Sequence, residues 1–81
     1  MKEIRVANTF WSRLLGIRPN ETHLVLEPCN AIHTFGMKDT LLVIFEDRNR
    51  NILAAYDVKP NRIAICPRAY RVIEVRRCHS G

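Results

Sequence analysis

The chain has 81 residues, of which 47% are apolar and 26% charged, and a formal net charge of +5. That length makes one domain that hides roughly 60–65% of its extended-chain surface on folding, and the composition argues against disordered and fibrous classes. No segment approaches the ~18 consecutive apolar residues of a membrane span, and the basic N-terminus lacks the apolar stretch of a signal peptide.

Residues 2–6 read as a short strand, with Ile4 and Val6 on one face and Glu3 and Arg5 on the other. Thr9 then caps a two-turn helix over residues 10–15, whose stripe of Phe10, Trp11, Leu14 and Leu15 packs on a sheet before Gly16 and Pro19 end it. A strand is predicted over residues 23–27, where Leu24 and Leu26 share a face and Pro28 closes the element. Residues 29–40 lack periodicity and are rich in turn formers, with Phe35 and Met37 expected to anchor them in the core. So long a connection in so small a domain points to function or structural specialisation.

The apolar run at residues 41–45 is expected to form a central strand buried on both faces. A polar turn over residues 46–51 follows, in which Asp47 and Asn49 bond nearby amides, and residues 52–58 complete an antiparallel hairpin. Between Pro60 and Pro67 lies another short strand at residues 62–66. The last strand, residues 71–77, sets Ile73 and Val75 on one face and Val72, Glu74 and Arg76 on the other, with Glu74 expected to be solvated or paired with an arginine. Many short strands and one helix predict a mainly β domain: a small antiparallel or mixed β sandwich or partly open barrel, with one short N-terminal helix.

Three cysteines, Cys29, Cys66 and Cys78, cannot all pair within one chain and form no CxxC couple, so a reducing, cytoplasmic setting is expected. The charge is uneven. Residues 1–58 balance seven basic against seven acidic side chains, whereas residues 59–81 carry six basic side chains and Glu74 alone. A basic end of this kind steers phosphate-bearing partners. Nucleic-acid binding would also need aromatic platforms along it, and only Tyr70 lies between Arg68 and Arg71.

Three chemistries are available to the 29–40 segment. If residues 29–33 form a helical turn, Cys29 and His33 meet at i,i+4, and the imidazole can activate the thiol for catalysis. Thr34, Lys38, Asp39 and Thr40 gather hydroxyls, a cation and a carboxylate around Gly36, a set suited to a small polar or anionic ligand. Cys29, His33 and Cys66, joined by Cys78 or His79, would offer zinc a tetrahedral set, although their spacing is unlike that of paired zinc knuckles. No phosphate-cradling glycine motif is present, and no cofactor is expected.

The segment Ala7-Asn8-Thr9-Phe10-Trp11-Ser12-Arg13-Leu14-Leu15-Gly16 is followed in order by Ile32-His33-Thr34-Phe35-Gly36-Met37-Lys38, Phe45-Glu46-Asp47 and Val72-Ile73-Glu74-Val75. This succession resembles the DUF192 family of uncharacterised bacterial and archaeal proteins across nearly the whole chain. The resemblance implies a single sandwich-like domain over residues 1–81 with a small helix against it, and no established catalysis. It also implies that longer members continue past the position of Gly81, so that a sheet edge stays open here to a second copy. The expected function is binding or interaction through the 29–40 loop, with an enzyme using Cys29 and His33 as the alternative.

Overall fold

The computed structural model describes residues 5–7 and 22–77. The expected helix at residues 10–15, with Trp11, lies outside the described residues, as do Cys78 and His79. Seven strands are described: β1 (Arg5–Ala7), β2 (His23–Leu26), β3 (Ala31–His33), β4 (Leu41–Glu46), β5 (Ile52–Val58), β6 (Ile63–Ile65) and β7 (Arg71–Arg76). Five of them form one sheet in the order β1-β2-β7-β4-β5, and β3 pairs with β6 in a second sheet of two strands. All pairings are antiparallel except β1 with β2. The domain is therefore mainly β and sandwich-like, and neither sheet closes into a barrel.

Alternation along each strand decides which side chains meet between the sheets. Leu24 and Leu26 of β2, Val72 of β7, and Leu41, Val43 and Phe45 of β4 are all at most 1% exposed. Ile32 of β3 and Ala64 of β6 close over them from the small sheet. Each large side chain buried in this way contributes on the order of 1.5–3 kcal/mol, so this layer holds the two sheets together.

Three expectations are corrected here. The 29–40 segment is not irregular throughout, because Ala31–His33 forms β3; a strand of three residues is too short for its period to show. The second face of β4, with Leu42 and Ile44, is half-buried and not enclosed. Glu74 is not solvated: it is 1% exposed and faces the core, in register with Leu24 on one side and Val43 on the other. Both faces of β7 carry apolar residues, so the sequence did not reveal which one turns inward.

The hairpin of β4 and β5 forms as predicted, with a bulge that leaves Leu53 unmatched where Phe45 pairs with Ala54 and Glu46 with Ile52. Its turn is built by Asp47, whose Oδ1 accepts the amides of Asn49 at 2.8 Å and Asn51 at 2.9 Å. These bonds, the Asn51 amide foremost, hold the Asp47 carboxyl below its usual pKa.

Candidate functional site

Strand β3 decides the fate of the Cys29–His33 pair. A helical turn would stack side chains four residues apart, whereas extended backbone spreads them by up to ~13 Å. The Cys29 thiol donates to the Ala31 carbonyl at 3.1 Å, and its amide donates to Tyr70 O at 2.8 Å. Cys29 lines a small hollow with Pro28, Asn30, Ala69 and Tyr70. His33 faces elsewhere: its ring stacks on Phe35 with centroids 4.9 Å apart, and its Nδ1 accepts the Phe35 amide at 3.3 Å. The local turn that would bring thiol and imidazole together is thus replaced by a strand.

Cys66 lies where β6 ends, donating its amide to Asn30 O at 2.8 Å, and packs against the core together with Cys29. Among the described residues no three His, Cys, Asp or Glu side chains gather closely enough to hold a metal ion, so Cys29, His33 and Cys66 do not form the set considered for zinc.

Thr34, Asp39 and Thr40 are each tied to other parts of the fold. Thr34 is fully buried. Its hydroxyl donates to Lys59 O at 2.7 Å and accepts the Arg62 amide at 2.9 Å, while its own amide donates to Arg62 O. Thr34 O in turn accepts the Asn61 and Met37 amides. Asp39 pairs with Arg76 at 2.6 Å, and Thr40 O accepts the Arg77 amide at 3.1 Å as the chain enters β4. Lys38 is exposed. Between these residues Gly36 turns the loop with φ at +77°, a backbone state that other side chains reach only with strain, and Asn61 Oδ1 accepts its amide. Thr34, Asp39, Thr40 and Asn61 thus fasten the loop.

Beside the exposed Lys38, this loop presents a large apolar side chain to solvent. Met37 anchors inward as expected, but Phe35 does not: it is 54% exposed and lies over His33. In the small sheet Ile32 and Ala64 point to the core, so alternation turns Ala31, His33, Ile63 and Ile65 outward. Ile63 stands opposite His33 and Ile65 opposite Ala31, at 62% and 59% exposure. Phe35, Ile63 and Ile65 therefore form one exposed apolar face, a grouping that sequence reasoning missed. The apolar residues of residues 62–66 were visible, but the face they share with Phe35 depends on the pairing with β3.

Beside that face runs a groove of about 330 Å³ between β5 and β6. Tyr56, Val58 and Ile63 form its apolar wall, and Lys59 and Arg62 stand along it as exposed cations. The arginines of β7 and its end are engaged differently. Arg71 is bound to Glu27 and Glu46, Arg76 to Asp39, and Arg77 to Asp57 at 3.0 Å. Hydrogen bonding to Glu27, above all, raises the Arg71 pKa further above its usual value. Three of the six basic side chains of residues 59–81 are thereby paired with carboxylates, whereas Lys59, Arg62 and Arg68 are exposed.

No family model matches the chain, and no curated protein or solved structure matches it either. Among the described residues no helix is long and apolar enough to cross a membrane.

Proposed function

We propose that this chain is a DUF192-like domain that works by binding a protein partner, not by catalysis, through the outward face of β3 and β6. The observation that carries this reading is the contiguous exposure of Phe35, Ile63 and Ile65. Exposed apolar groups scattered singly are ordinary, but three large ones on one face, beside a groove with an aromatic wall, match the anatomy of recognition surfaces. The ordered sequence landmarks support the family reading, and the extended backbone at residues 31–33 disfavours a thiol–imidazole pair.

Selection of peptides from a random display library, followed by binding measurements on Phe35→Ser and Ile63→Lys, tests this function. Selected peptides should shift the amide resonances of residues 31–35 and 63–65, and each substitution should weaken them by about tenfold while the fold persists. Peptides indifferent to both substitutions would reject this face. Rapid alkylation of Cys29 at neutral pH that is lost in His33→Ala would instead favour the enzyme.

A further inference from the structure

Among the described residues, the large sheet ends in β1, Arg5–Ala7, at one edge and in β5, Ile52–Val58, at the other. Strand β5 pairs with β4 on one side, and among the described residues no further strand pairs with it. Its residues Ile52, Leu53, Ala55 and Tyr56 are exposed, and neither proline nor lysine interrupts it. Its one charged side chain, Asp57, is paired with Arg77, and a long edge that is otherwise apolar is a template for another strand.

Charge at the two ends of β5 indicates what that strand carries. The turn before it presents Arg48 and Arg50, both exposed, and the turn after it presents Lys59 and Arg62. Among the neighbouring carboxylates, Glu46 is paired with Arg71 and Asp57 with Arg77. Asp47, held ionised by the amides of Asn49 and Asn51, keeps its negative charge, and Arg48 and Arg50 outnumber it in that turn. A second copy pairing antiparallel about Ala55 would bring Arg48 and Arg50 of one chain alongside Arg62 and Lys59 of the other. Like charges would then face each other at both ends, which disfavours self-pairing.

We infer that β5 accepts an extended peptide segment of a partner protein, apolar at alternate positions and acidic at both ends, which adds a strand to the sheet and seats a side chain in the Tyr56–Ile63 groove. Main-chain hydrogen bonds along β5 supply affinity, the groove selects an apolar side chain, and the flanking cations fix register. The inference rests on the binding function proposed above and adds to it the edge, the peptide's conformation and its charge.

The probe is a blocked nonapeptide, Glu-Asp-Val-Thr-Val-Thr-Val-Asp-Glu, added to the full chain and followed by amide hydrogen exchange. Binding should slow exchange within residues 52–58. It should weaken by about tenfold or more in the Lys59→Glu, Arg62→Glu double variant, and disappear when alternate peptide amides are N-methylated. Equal binding of the N-methylated peptide, or no binding of the parent, would overturn strand addition. If library peptides still depended on Phe35 and Ile63, the broader function would survive that result. Protection of residues 52–58 that grows with protein concentration alone would assign the edge to a second copy. Tighter, competing binding of an oligothymidylate would assign the cations to nucleic acid, and both results would reject the inference.

Discussion

Thr34 joins two loops through one hydroxyl, which donates a hydrogen bond to Lys59 O and accepts one from the Arg62 amide. Thr34→Val keeps the volume and strands both backbone groups, so stability should fall by about 2 kcal/mol, read as a lower urea midpoint, while Thr34→Ser should stay close to wild type. Asp47 makes a prediction in pH. Its folded pKa lies below the ordinary 3.8, so its stabilisation is present above that value and is lost as pH falls through the folded pKa. Asp47→Asn should thus be less stable than wild type at neutral pH, and the gap should close in urea titrations carried below pH 3.8. The role of Asp47 was legible because an Asx turn is local. That of Thr34 was not, since its partners lie 25 and 28 residues away and nothing in its neighbourhood distinguishes a ligand-facing hydroxyl from a buried tie.

At the scale of elements, Arg71 gathers one end of the large sheet. From β7 it reaches Glu27 after β2 and Glu46 at the end of β4, with its side chain only 11% exposed. Arg71→Met should lower stability by about 2 kcal/mol in thermal melts, because two carboxylates lose a shared donor. Lysine at this position should restore only part of the loss, since an ammonium cannot fork between two acceptors as a guanidinium does. Strands β2, β4, β5 and β7 were legible from alternation or a long apolar run. Strand β3 was hidden by its length and by Asn30 beside it, and it emerges only because β6 pairs with it. The orientation of Glu74 was hidden for a different reason: a carboxylate between Ile73 and Val75 suggests an outward position until the register places it between Leu24 and Val43.

For the whole molecule, the large sheet and its small companion share a core on one side and leave Phe35, Ile63 and Ile65 outward on the other. Replacing Ile63 and Ile65 together with lysine should change stability by no more than ~0.5 kcal/mol each, since neither contributes to the core. The same variant should bind less hydrophobic dye and stay soluble at higher concentration. The order of strands has a consequence for synthesis. Strands β2 and β4 do not touch as partners; each pairs with β7, the last of the described strands. A growing chain released from the ribosome only as far as residue 70 therefore has a hairpin and loose segments but no spine to join them. Truncation there should leave the chain protease-sensitive, and protection should appear in a single step once residues 71–76 have emerged, as pulse proteolysis of stalled chains would show.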